Sequence, residues 1–84
     1  MAMIERVVGP IKGYYIASYA CEMGELGDQF LGFAKVCVAR PDDYWMARAC
    51  AKFSCEDVAT SAEEALEDAE FRARMQIANM PRPC

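Results

Sequence analysis

The stretch YYIASYACEM (residues 14–23) carries apolar and aromatic residues without a helical period, which predicts a β-strand. Two glycines and an aspartate in GELGD (24–28) supply a turn, and QFLGFAKVCVAR (29–40) predicts a second strand. PDDY (41–44) opens another turn on a proline whose fixed φ suits that position. In WMARACAKFSC (45–55), Trp45, Ala47, Ala49, Ala51 and Phe53 alternate with Met46, Arg48, Cys50, Lys52 and Ser54. That period of two predicts a third strand with one wet face, although its alanines leave a helix open. Ahead of these, MIERVV (3–8) reads as a short strand or a turn of helix before Gly9-Pro10 breaks it, so residues 1–12 are expected to be weakly organised.

The helix signal is stronger. In EDVATSAEEALEDAEFRARMQIANMPRP, Thr60 with Glu63, or Ser61 with Glu64, has the spacing of a capping box, in which the hydroxyl accepts from an early backbone N–H. Acids crowd the first half and Arg72 and Arg74 follow in the second, the sense that complements the helix dipole. Asp68–Arg72 and Glu70–Arg74 are favourable pairs four residues apart, and Pro81 ends the element. The predicted helix spans 61–79, with an apolar stripe of Ala62, Ala65, Leu66, Ala69, Ala73 and Ile77 and a tail at 80–84. A stripe so rich in alanine lets a helix lie close against its sheet.

Together these elements predict one α+β domain over 1–84: a three-stranded antiparallel sheet (14–55) with a C-terminal helix packed on one face, β-β-β-α. KGYYIASYA at one end and VATSAEEALEDA at the other carry a resemblance. The chain resembles small uncharacterised bacterial proteins that open with a G-Y-x-I strand and close with F-x-T-x-E-E-A before a helix. Val58 stands where that family has an aromatic. The capped helix is also similar to part of HicB-type antitoxins, and the strand–helix order to the β-β-β-α half of double-stranded-RNA-binding domains. The first resemblance implies the fold and no assigned activity; the other two imply a nucleic-acid-associated or antitoxin-like module, and fold alone does not fix function.

Composition narrows the function classes. The chain of 84 residues is 55% hydrophobic and 26% charged, which is globular. No apolar run approaches the roughly 18 residues of a membrane span, and MAMIERVVGPIKG lacks the layout of a signal peptide, so a cytoplasmic protein is expected. There is no histidine, which removes the commonest general base and a principal zinc ligand. No glycine-rich phosphate loop precedes a helix, and the acids Glu63, Glu64, Glu67, Asp68 and Glu70 read as a solvated helix face rather than a catalytic pair. An enzyme is therefore not expected, nor a cofactor. The five cysteines contain no CxxC; Cys21, Cys37, Cys50 and Cys55 read most simply as small apolar residues and Cys84 as an exposed thiol. Cys21, Cys37 and Cys50 on one sheet face would be the only opening for a thiol or metal site, and a fourth ligand is missing. Nucleic acid is disfavoured: Lys35, Arg48 and Lys52 make a thin basic patch, while the net charge is −4 and residues 56–70 hold acids and no base.

What remains is surplus apolar surface. With Trp45, Ala47, Ala49, Ala51 and Phe53 against the helix beside Phe30, Ala34, Val36 and Val38, the other sheet face carries Leu31, Phe33, Cys37, Met46 and Cys50. Tyr14 and Ile16 inward would leave Tyr15, Ala17, Tyr19 and Cys21 on that outer face, where a slip of one residue exchanges the faces. Phe71 and Met75 lie about 140° and about 180° around the helix from Leu66, stacked four residues apart. The expected partner surface is Tyr15, Tyr19, Leu31, Phe33, Met46, Phe71 and Met75, and the expected partner is a protein, foremost a second copy of the chain.

Overall fold

The structure, a computed structural model, describes residues 3–23, 27–55 and 57–82. In chain order it holds β1 (Met3–Ile11), β2 (Tyr14–Met23), β3 (Gln29–Cys37), β4 (Ala51–Ser54) and α1 (Ala62–Ala78). The strands form one antiparallel sheet in the order β1-β2-β3-β4, and α1 lies on one face, chiefly over β2 and β3. The α+β class and the C-terminal helix are as the sequence predicts, but the sheet has four strands instead of three.

The added strand is the segment expected to be weakly organised. Lys12 (φ 54°) and Gly13 (φ 86°) both adopt positive φ between the paired residues Ile11 and Tyr14. Such a two-residue loop has the backbone twist that joins neighbouring antiparallel strands. Gly9-Pro10, which reads as a breaker, lies inside β1 where the register shifts between Val8 and Ile11. An edge strand accommodates this because a proline there removes no necessary ladder hydrogen bond.

The predicted third strand is shorter than its alternation suggests. Only Ala51–Ser54 pair with β3, which itself ends at Cys37, and residues 38–50 form a long connection. Asp43 organises that connection: its Oδ1 accepts the Met46 N–H at 2.7 Å, and the Tyr44 carbonyl accepts the Ala47 N–H at 3.3 Å. Trp45 and Val38 consequently do not face the helix; both are exposed. The predicted turn at 24–28 falls largely outside the described residues, as does Cys84.

Ser61 is the N-cap of α1, its hydroxyl accepting the Glu64 N–H at 3.1 Å, while the Glu64 carboxylate accepts from the Thr60 hydroxyl at 3.1 Å. The buried stripe is Ala65, Leu66, Ala69, Glu70, Ala73 and Ile77. It divides the core into two clusters. Tyr14, Ile16, Ala34 and Val36 pack with Ala69, Ala73 and Ile77 at one end. Ala20, Phe30 and Ala59 pack with Ala65 and Leu66 at the other. Gly32 lies at the point of closest approach: a methyl group there would collide with the Ala65 carbonyl oxygen. The neighbouring Ser18 is fully buried, and its hydroxyl has no hydrogen-bond partner among the described residues.

Glu70 is the one charged member of the buried stripe. Its two carboxylate oxygens accept from Nε and an Nη of Arg6 on β1, both at 3.1 Å, and Arg74 approaches at 3.6 Å. This bidentate pair ties the edge strand to the helix, a geometry that favours arginine over lysine. Arg6 is half in water, so its desolvation is incomplete and the link costs less than a fully buried pair.

Two substitutions follow from the helix–sheet contact. Gly32→Ala forces the helix off the sheet and should cost at least the roughly 1–3 kcal/mol of an overpacked core, read as a lowered urea midpoint. Ser18→Ala removes a buried hydroxyl with no hydrogen-bond partner among the described residues and should leave stability unchanged or raise it by about 1 kcal/mol in the same assay.

Candidate functional site

The sequence-predicted partner residues separate into two groups on opposite sides of the molecule. On the sheet face away from the helix, Tyr15, Ala17, Tyr19 and Cys21 of β2 stand opposite Cys37, Lys35, Phe33 and Leu31 of β3. Of the two orientations the sequence leaves open, this is the one with Tyr14 and Ile16 on the helix side. Tyr15, Tyr19, Leu31 and Phe33 are half-buried, although no helix covers them.

The cover comes from the 38–50 connection. Tyr19 stacks on Phe33 at 6.4 Å between ring centroids and on Tyr44 at 5.4 Å, and meets Trp45 edge-on at 4.9 Å. Tyr44 and Trp45 meet edge-on at 5.2 Å, completing a four-ring cluster of the offset and T-shaped kind that aromatic quadrupoles favour. Lys35 holds the loop from below: its Nζ donates to the Tyr44 carbonyl at 2.9 Å and sits 4.2 Å from the centre of the Tyr44 ring. That cation–π contact also accommodates Lys35 directly across from Lys52, where two like charges would otherwise repel. Trp45 (63% exposed) and Met46 remain open to water at the crest of the loop.

Tyr44 and Trp45 were assigned by the sequence pattern to a turn and to the helix-facing side. Both instead close the outer face. The signal that marks them is Asp43, whose side chain caps a local turn and thereby breaks the alternation that Trp45 and Met46 would continue.

The second group lies along the flank of α1. Phe71 (59% exposed) and Met75 (54% exposed) line an open groove of about 430 Å³ together with Phe53, Asp68, Arg72, Gln76 and Asn79. Phe53 belongs to β4, the short open edge of the sheet, so the groove runs between that edge and the helix.

The three-thiol constellation does not assemble. Cys37 stands opposite Tyr15 and Cys21 opposite Leu31, six residues apart along β2 or roughly 20 Å at strand spacing. Among the described residues no three side chains of a metal-ligating kind converge. Cys55 is buried, and its sulfur accepts the Gly32 N–H at 3.1 Å. Among the described residues no helix is long and apolar enough to cross a membrane.

Comparison with known proteins adds no relative: no protein-family model matches the chain, and neither curated proteins nor solved structures give a match.

The aromatic cluster has a readable pH signature. Burial raises the Tyr19 phenol above its ordinary value, with the negative charges of Cys21 and Glu5 adding to it. Burial, then the charge of Tyr19, does the same for Tyr44. The folded state therefore favours the neutral phenols, so this packing is fully present below the ordinary phenol range near pH ~10 and lost as pH rises through the raised values. A phenolate absorbance titration should show a late-ionising component, and Tyr44→Phe should reduce it. A titration with no component above the ordinary phenol range would contradict the packed loop.

Proposed function

We propose that this protein is a non-enzymatic interaction module that associates with a second copy of itself through the groove between β4 and α1. The observation that carries this reading is the pairing of Phe71 and Met75 beside Phe53 at an open sheet edge. A bare edge strand offers unpaired N–H and C=O groups to another strand, and two copies of β4 run antiparallel about a two-fold axis normal to the sheet. That axis keeps both helices on the same face. A register centred on Phe53 sets Phe53 against its own copy on the helix side and Lys52 against Ser54 on the outer side. A register centred on Lys52 opposes the two lysines instead, so the first is favoured electrostatically.

The helix flank contributes the apolar part of the contact. An isologous interface brings residue i onto j and j onto i, and Phe71 with Met75, one turn apart, suits that reciprocity. The sheet's outer face offers less, because Tyr44 and Trp45 already occupy it. A nucleic-acid reading finds less support still: Lys35 serves Tyr44, and the first turn of α1 is acidic.

Light scattering or sedimentation at micromolar concentration tests the reading. The parent chain is expected to be a dimer, and Phe71→Glu with Met75→Lys a monomer with an almost unchanged thermal melt. Both replacements are good helix formers at exposed positions, while each lost apolar contact is worth on the order of 1.5–3 kcal/mol of association. A parent chain that stays monomeric at high concentration removes the proposal. A double mutant that loses several kcal/mol of stability instead would put both side chains in the core.

A further inference from the structure

Cys37 ends β3 and Cys50 immediately precedes β4, so the two stand at the base of the long connection that carries Tyr44 and Trp45. Val36 is opposite Ala51 in the ladder, and the next step outward on each strand is Cys37 and Cys50. Two contacts define how close they come. The Cys50 N–H donates to the Val36 carbonyl at 2.8 Å, and the Cys50 thiol donates to the same oxygen at 3.3 Å. That carbonyl belongs to the peptide leading into Cys37, so Cys50 is held on the backbone of Cys37 itself. Disulfides join cysteines whose Cα atoms are about 4.4–6.8 Å apart, the scale that this single bridging carbonyl imposes.

The two thiols differ in access. Cys50 is exposed, whereas Cys37 is 1% exposed. Burial pushes the Cys37 thiol up, the nearby Cys50 adds to this, and Lys35 acts in the other direction. The remaining described cysteines are placed elsewhere: Cys55 lies under Gly32, and Cys21 is toward the far end of β2.

We propose that Cys37 and Cys50 are a reversible thiol–disulfide site, oxidised by hydroperoxides, that clamps the base of the aromatic connection. The thiolate of Cys50 attacks the outer peroxide oxygen; an S–O bond forms, the O–O bond breaks, and the departing oxide takes a proton to leave as water or an alcohol. Cys50 is then a sulfenic acid. The sulfur of Cys37 attacks the sulfur of Cys50, the S–S bond forms, and the S–O bond breaks, hydroxide leaving as water with the proton lost by Cys37. Two thiols are oxidised to one disulfide and one hydroperoxide is reduced. Access assigns the first step to the exposed Cys50 and the resolving step to the buried Cys37. The closed bond fixes both ends of residues 38–49 and with them the position of the Tyr44–Trp45 rings over Tyr19. This site is independent of the β4–α1 groove.

The test uses the full chain, reduced and then treated with hydrogen peroxide, alkylated and digested with trypsin. Cleavage after Arg48 separates the Cys37 peptide (36–48) from the Cys50 peptide (49–52), so a link between them is unambiguous. The expected result is that these two peptides become joined before any other pair, that dithiothreitol separates them, and that the Trp45 emission shifts in step. Trp45 is the sole tryptophan, so the emission reports the connection directly. In Cys37→Ser the Cys50 sulfenic acid should persist and be trapped by dimedone. Peptides 36–48 and 49–52 that stay unlinked while either cysteine is over-oxidised, or a Cys50 linked to a different cysteine, overturns the proposal in the unsubstituted chain, whatever the stability of the variant.

Discussion

At Gly32 the backbone of β3 and the backbone of α1 touch with no side chain between them, and a single added methyl would meet the Ala65 carbonyl. A helix that close to a sheet can present only small residues to it. Ala65, Ala69 and Ala73 on the helix and Ser18, Ala20 and Ala34 on the strands satisfy that requirement. The larger apolar side chains are displaced to the two ends of the contact, which is why the core divides into a Leu66–Phe30 cluster and an Ile16–Val36–Ile77 cluster. Ser18, fully buried and with no hydrogen-bond partner for its hydroxyl among the described residues, meets the same demand for a small side chain. Such close surfaces gather many small dispersion contacts in place of a few large side chains.

How much of this was legible depended on whether the signal was local. The helix was, because Ser61, the acids of its first turn and the alanine stripe all act within one element. The faces of β2 were legible only in part: alternation separates Tyr14 and Ile16 from Tyr15 and Tyr19, but a slip of one residue exchanges the two sides, and pairing with β1 and β3 decides which one meets the helix. β1 was not: its turn is Lys12-Gly13, in which a lysine takes a positive φ that its own preferences do not advertise, and Gly9-Pro10 imitates a break. The span of the third strand failed for the opposite reason. Alternation runs unbroken from Trp45 to Ser54, yet partners on β3 exist only for Ala51 onward, and pairing is a property of two strands.

The candidate surfaces followed the same division. Phe71 and Met75 were visible as outliers on a helical wheel, because exposure of a helix position follows from its own periodicity. The outer sheet face carries Tyr15, Tyr19, Leu31 and Phe33, while Met46, expected beside them, lies on the loop; the cover comes from Tyr44 and Trp45, seven and eight residues past the end of β3. A loop that returns across a face is a tertiary event. The Lys35 ammonium meeting the Tyr44 carbonyl and ring, together with the Tyr19 ring contacts, makes it specific, and none of these residues signals the others along the chain.

Geometry then decides which surface is left over. An α-helix with its side chains is about 10 Å across, and strands are about 4.8 Å apart, so one helix covers two strands and leaves the two edges of a four-stranded sheet bare. At the β1 edge the protein closes that deficit with charge, Arg6 reaching under the helix to Glu70. At the β4 edge Phe53 is half-buried, and the groove above it on α1 is lined by Phe71 and Met75 beside Asp68 and Arg72, an ion pair within the helix itself. The two edges are thus finished differently, one by an internal ion pair and the other by apolar groups still facing water. An ion pair satisfies itself within one chain, whereas apolar groups are satisfied only by further burial. Arg6–Glu70 ties β1 to the helix, whereas Phe53, Phe71 and Met75 leave apolar surface open beside β4, the feature on which the proposed self-association rests.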